Sequence, residues 1–182
     1  TADKPQMACL SSRIPYGEAV TPERVAEALA REPLIRGVFV QLSESSTGAC
    51  HDVEALARIS PQQPRFVLNT HWHGDHTGGN ENLAAKGSVI LAHDRVRERM
   101  SSDNFSEFFK KTTPPSPPGA LPIVTFNDSL SLHVNGDELR GIHVRAAHTD
   151  GDVFIHFRKA NVIHTGDLVF AGYGIRAKDL NY

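Results

Sequence analysis

Up to residue 122 the chain is built of short apolar runs separated by turn residues, and from Ile123 the pattern becomes that of β-strands. Residues 1–20 are polar and broken by Pro5, Pro15 and Gly17, so they read as irregular. Thr21-Pro22-Glu23 has the form of a helix start, with a hydroxyl cap, a proline at the first helical position and an acid beside the positive end. Val25, Ala28 and Leu29 supply its apolar face, and Pro33 ends it. Gly37 to Leu42 predicts a strand, Ser43 to Gly48 a polar turn, and His51 to Ile59 a second helix stopped by Pro61. Phe66 to Thr70 predicts a buried strand. A strand over 38–42, a helix over 52–59 and a strand over 66–70 make a βαβ unit.

Further on, Asn80 is expected to cap a short helix over 81–86 that Gly87 closes. Val89 to Ala92 predicts a strand buried on both faces, as in a parallel sheet. A helix over 94–110 follows, with Val96, Met100, Phe105, Phe108 and Phe109 as its apolar set. Residues 112–122 hold a run of prolines, which predicts an extended linker unable to pair in a sheet. Ser129 to Val134 alternates, Asn135-Gly136 is a hairpin turn signal, and Leu139 to Arg145 returns. Val153 to Phe157 and Val162 to His164 supply two more strands.

Length adds that 182 residues suffice for one good core or two small units. A net charge of −2 provides neither a basic field for nucleic acid nor a polybasic membrane patch. No stretch approaches the roughly 18 consecutive apolar residues of a membrane span. Cys9 and Cys50 have no C-x-x-C partner; one disulfide between them is open in an oxidising compartment, and two free thiols are the expectation. Localisation stays open.

Histidine changes the picture, because ten are present and three fall in one stretch, His71-Trp72-His73-Gly74-Asp75-His76. In extended backbone residues two apart point the same way, so His71 and His73 can face one cation. Gly74 lets the chain bend and brings Asp75 and His76 toward a second position. Nitrogen and carboxylate ligands at this spacing suit zinc. The other histidines read more plainly: His93 as a helix cap or surface residue, and His133, His143 and His156 as solvent-facing positions of strands.

The stretch, with its continuation Thr77-Gly78-Gly79-Asn80, resembles the H-x-H-x-D-H signature of the metallo-β-lactamase superfamily. Ala146-Ala147-His148-Thr149-Asp150-Gly151-Asp152 resembles that family's second histidine motif, and His164-Thr165-Gly166-Asp167 its bridging-aspartate motif. The resemblance covers about residues 64–173. It implies that His71, His73 and His148 hold one zinc, that Asp75 and His76 belong to a second, and that Asp167 touches both. The family's later second-site histidine has no counterpart in 172–182, so a firmer first site and a weaker second one are expected. His164 is expected to point into the sheet. The implied fold is α/β, a partial αββα sandwich with the βαβ unit at its N-terminus, and a homodimer is the expected way to cover its open face.

A second resemblance runs from Tyr16-Gly17-Glu18 through Glu44-Ser45-Ser46-Thr47-Gly48 to Asp52-Val53-Glu54-Ala55-Leu56, which look like an internal piece of a pyridoxal-phosphate aminotransferase of the alanine–glyoxylate type. It covers about 14–60, so residues 1–62 and 63–182 are read as two regions of a recombined chain. The Schiff-base lysine and the aspartate of that family have no counterpart, and no such activity is carried over.

The metallo-β-lactamase resemblance implies a hydrolase of a small-molecule ester, lactam, thioester or phosphoester. A zinc ion with an open position lowers the pKa of bound water from about 15.7 to about 7, giving a hydroxide nucleophile, with Asp75 orienting the water and passing its proton on. The alternative is a module whose zinc serves stability alone.

Overall fold

The structure, a computed structural model, describes residues 19–31, 55, 58–59, 64–107 and 110–169. The chain divides into two units, Thr1–Gln63 and Pro64–Tyr182. In the first, α1 (Pro22–Arg31) begins where the cap predicts. The Thr21 carbonyl accepts from the Val25 amide at 3.3 Å and its hydroxyl from the Arg24 amide at 3.4 Å. Val25, Ala28 and Leu29 are half-buried on one face. The expected strand 37–42, most of the helix 51–59, and therefore the βαβ unit, lie outside the described residues, as do Cys9 and Cys50.

Among the described residues the second unit holds a three-stranded and a four-stranded sheet, with a separate two-stranded hairpin. Strand β1 (Phe66–Leu68) pairs in parallel with β2 (Val89–His93), placing Val67 opposite Ile90, and β2 pairs in parallel with β5 (Val124–Phe126). Two short helices, α2 (Gly74–Thr77) and α3 (Asn80–Ala85), make the crossover from β1 to β2. Helix α3 ends in a paired backbone cap, with Gly87 at φ +93°, its amide on the Ala84 carbonyl and the Ser88 amide on the Leu83 carbonyl. The second sheet is antiparallel in the order β6 (Ser129–Val134), β7 (Asp137–His143), β8 (Val153–Phe157) and β9 (Val162–His164). Asn135 and Gly136 both take positive φ, as a two-residue hairpin turn requires, and β7 begins and ends two residues earlier than its apolar pattern suggests.

The sheets meet at Gly141. A side chain there would touch Val153, Leu68 and Phe126 at 3.4–3.5 Å, so β7 lies close over β1 and β5. On the other side of β2, helix α4 (Asp94–Met100) turns Val96 and Met100 onto Ala92 and Ala120, and Trp72 and Leu121 pack against that group. Ile90, Leu91, Val153 and Ile155 complete the buried apolar set among the described residues.

Three expectations are corrected here. The helix predicted over 94–110 ends at Met100. Ser101, Ser102, Asp103 and Asn104 are poor helix formers, and the side chains of Ser101, Ser102 and Asn104 bond to nearby carbonyls. The Asn104 amide donates to the carbonyls of Arg99 and Ser102, and a hairpin of β3 (Asn104–Ser106) and β4 (Lys111–Thr113) follows. Phe105 is therefore 57% exposed rather than packed in a core, and Phe108 and Phe109 lie outside the described side chains. Thr112 and Thr113, placed in the unpaired linker, belong to β4; the prolines after them do stay out of the sheets. Asn80 is not a cap. It is the first residue of α3 and fully buried, its amide and that of Asn69 pair reciprocally at 2.9 and 3.0 Å, and it also donates to the Ala120 carbonyl. The same Asn69 amide donates to the His76 carbonyl at 3.1 Å, so this buried pair ties the turn after β1 to the strand end.

Candidate metal centre

The centre lies beyond the carboxyl end of β1, where open α/β sheets commonly bind ligands. Strand β1 stops at Leu68, two residues short of the expected strand, and His71 lies on the bend that follows, 1% exposed; His73 precedes α2; Asp75 and His76 fall within α2. His148 arrives on the loop between β7 and β8, and Asp167 on the 3₁₀ turn Gly166–Leu168 after β9. All six residues that the sequence singles out as ligands meet there.

They meet as two groups. In the first, His73 Nδ1 lies 3.1 Å from His71 Nε2 and 3.0 Å from His148 Nε2. In the second, His76 Nε2 lies 3.2 Å from Asp167 Oδ1 and 3.3 Å from Asp75 Oδ2. Asp167 divides its oxygens between them, because its Oδ2 stands 3.9 Å from His71 Nε2 and 3.7 Å from His148 Nε2. Two sets of ligand atoms that could hold a cation result, one of His71, His73 and His148, the other of His71, His76 and Asp167.

The loops are held in ways that fit this task. Both carboxylate oxygens of the buried Asp152 accept from Thr149, from its amide at 2.6 Å and its hydroxyl at 2.8 Å, which fixes the turn behind His148. Gly151 sits against Val96 and Arg95, with room for no side chain without a shift. Gly166 has φ +56°, and a Cβ there would lie 2.8 Å from Thr70 Cβ, so the turn carrying Asp167 can approach β1 only as glycine.

Electrostatics differ between the groups. Burial, with His76 and His73 beside it, lowers the His71 pKa to about 2. Burial likewise lowers His73, with His148 adding to the effect. Burial also opposes charge on His76, but hydrogen bonding to Asp167 and Asp75 outweighs it and raises the pKa to about 9. Asp167 is the counterpart: burial raises its carboxyl, and His76 more than reverses this to hold it below the usual range.

These shifts predict a pH optimum for the stability of the metal-free chain. Between pH 2 and 6.5 the unfolded chain takes up a proton at His71 that the folded chain refuses, so stability falls on acidification. Between 6.5 and 9 the folded chain retains a proton at His76 that the unfolded chain releases, so stability falls as pH rises. Urea midpoints measured across this range in chelator should peak near pH 6.5, and a midpoint still rising from 6.5 to 9 would contradict the assignment of His76.

The residues fit a metal. A tetrahedral zinc with Zn–N of about 2.0–2.1 Å places its nitrogens about 3.3 Å apart, close to the separations at His73. His76 Nε2 is buried, with one carboxylate oxygen of Asp167 and one of Asp75 at 3.2 and 3.3 Å, so nitrogen and carboxylate donors converge on a shared point as a metal's donor set requires.

The metallo-beta-lactamase superfamily model matches residues 28–180. The chain belongs to the metallo-beta-lactamase superfamily. Among curated proteins, the superfamily relatives include a hydroxyacylglutathione hydrolase of Erythrobacter litoralis, 27% identical over 58% of this chain and 34% of that protein. An atrochrysone carboxyl ACP thioesterase of Aspergillus terreus is 33% identical over 70% of this chain and 33% of that protein. Among solved structures, the BLEG-1 B3 metallo-beta-lactamase superposes with a TM-score of 0.56 at 21% identity, over 71% of this chain and 66% of that one. This likeness shows the mixed α/β fold of the superfamily over part of its extent. The chain spans about a third of the length of the curated relatives it matches. The superfamily match begins inside the 14–60 stretch, and the comparisons give no support to an aminotransferase segment or a recombined chain.

Other histidines gain places. His93 caps α4, its Nδ1 accepting from the Arg95 amide at 3.1 Å. His133 is exposed, as its strand position predicts, and His156 is half-buried. His143 is half-buried rather than fully solvent-facing: its ring stacks on His93 with centroids 3.8 Å apart, and its Nδ1–H donates to the Asp152 carbonyl. His164 is turned toward its own turn, its Nδ1 accepting from the Gly166 amide at 3.1 Å. The residue missed by sequence reasoning is Thr70, whose hydroxyl lies 3.2 Å from His71 Nδ1 and 3.3 Å from His76 Nδ1. The signal was its place directly before a ligand at a strand end.

Proposed function

We propose that the chain is a zinc-dependent hydrolase of small-molecule substrates, with His71, His73 and His148 holding the first ion and Asp75, His76 and Asp167 forming the position for a second. One observation carries this reading: three imidazole nitrogens from two separate parts of the chain lie within about 3 Å steps of one another, and one carboxylate reaches from them to a second group. A bound divalent cation supplies Lewis acidity, which activates water and polarises a carbonyl or phosphoryl oxygen at neutral pH. Burial keeps His71 neutral and therefore ready as a ligand. Asp167 spans the groups and fixes their spacing. Asp75 has a carboxylate 24% exposed, so it can reach solvent, orient a water and hand its proton to the leaving group.

Among the substrate classes, thioesters come first, because one relative is named as a hydrolase of an acylglutathione and another as a thioesterase. The test compares zinc-loaded and chelated protein on a glutathione thioester, a chromogenic β-lactam and a phosphodiester. The expected result is hydrolysis of at least one class that chelator removes and zinc restores. Zinc binding with every substrate left at background would favour the alternative, a domain in which the ion is structural.

The same proposal includes a homodimer. Among the described residues β9 is an outer strand of its sheet, with Ile163 56% exposed, an edge that a second copy can cover. Light scattering on the eluting protein should give twice the chain mass, and a monomer at every concentration would remove this part.

A further inference from the structure

Thr70 is 5% exposed and stands between the two groups of ligands. Its hydroxyl oxygen lies 3.2 Å from Nδ1 of His71, which serves the first group, and 3.3 Å from Nδ1 of His76, which serves the second. In both rings the other nitrogen, Nε2, faces the ligand clusters. A neutral imidazole has one bare nitrogen and one N–H, so a ring that offers Nε2 to a cation must carry its proton on Nδ1. A threonine oxygen has two lone pairs and can accept from two such N–H groups at once.

The position is also held rigidly. The Thr70 carbonyl accepts from the Val153 amide at 2.8 Å, which pins the backbone to β8. Its Cβ and Oγ1 fill the space a side chain at Gly166 would need, one residue before Asp167. One side chain thus touches the supports of three proposed ligands.

We propose that the Thr70 hydroxyl is a positioning group shared by both halves of the centre, accepting from Nδ1–H of His71 and of His76, so that His71 turns a bare Nε2 toward the cations and His76 an Nε2 whose proton a bound cation displaces. This rests on the metal-dependent reading above. It extends that reading by making the two sites depend on one oxygen, so that losing the hydroxyl weakens both sites together. Outer partners of this kind commonly contribute about 10–100-fold to metal affinity.

Two substitutions separate the hydroxyl from the shape. Thr70→Val keeps the branched volume over Gly166 and loses the acceptor; Thr70→Ser keeps the acceptor and loses a methyl group. Zinc titration of each metal-free protein by calorimetry reads affinity without reference to catalysis. The proposal expects Thr70→Ser to bind within about threefold of the parent, and Thr70→Val to bind both ions about 10–100-fold more weakly. Thr70→Val binding like the parent, or both variants losing equally, would overturn it and leave Thr70 a packing residue. A second measurement needs no variant and no metal: nitrogen-15 shifts of His71 at neutral pH should report the Nδ1–H tautomer, and the Nε2–H tautomer would overturn the proposal. If the parent protein takes up no zinc, the hydrolase reading fails on that result, and the tautomer of His71 still decides the role of Thr70.

Discussion

Replacing His148 with alanine is expected to abolish metal-dependent hydrolysis while leaving most of the fold standing. His148 is 4% exposed and comes from a loop far along the chain from His71 and His73, so its loss opens the first group on one side. The loop itself is held by Asp152 and Thr149, and those bonds do not involve the imidazole. The contribution at risk is the Lewis acidity of the ion, worth several kcal/mol. At about 1.4 kcal/mol per tenfold in rate, activity should fall on the order of 10³-fold or to background. Zinc content should fall with it, which separates a lost ligand from a damaged substrate pocket. A variant that keeps full zinc and full rate would show that the ion is held elsewhere.

The second large effect is expected at Asp167, the residue with one oxygen toward each group. Asp167→Asn keeps the size of the side chain and removes its charge. The second group then loses one of its two carboxylates, and His76 loses the neighbour that contributes most to its raised pKa. The predicted outcome is a protein that still takes one ion at the three histidines and binds the second at least about 100-fold more weakly, with activity down on the order of 10²-fold. The His76 titration should move down from about 9, and proton NMR of the metal-free variant would show it. An unchanged His76 titration would mean that Asp75 alone sets its charge.

How much of this was legible in the sequence depends on whether the signal was local. The spacing of His71 and His73 pairs them, and their nitrogens do converge at 3.1 Å, but on a bend over residues 70–72 rather than on extended backbone, so the pairing was legible and the local shape was not. The hairpin at Asn135-Gly136 was legible too, since positive φ at two positions is written in the residues. The places of His148 and Asp167 were read from resemblance, because nothing in their own neighbourhoods says which loop they will meet. The failures also have local causes. Phe105, Phe108 and Phe109 extended an apolar helical rhythm past Met100, and the polar run Ser101 to Asn104, which ends the helix, was outvoted. Asn80 and His143 look like surface residues by type. Their places, buried for Asn80 and half-buried for His143, come from partners distant in sequence, Ala120 in one case and His93 in the other. Thr70 escaped for a similar reason, because one of its two imidazoles belongs to a residue six positions away.

The proposed function requires side chains from positions 71, 73 and 148 to surround one ion, with 167 shared toward another. Anomalous scattering at the zinc edge from crystals of the zinc-loaded protein measures this directly. The account predicts a peak bonded to His71 Nε2, His73 Nδ1 and His148 Nε2 at about 2.0–2.1 Å, with any second peak on the Asp75 and His76 side of Asp167. A zinc-saturated crystal with no peak among those three nitrogens would contradict it.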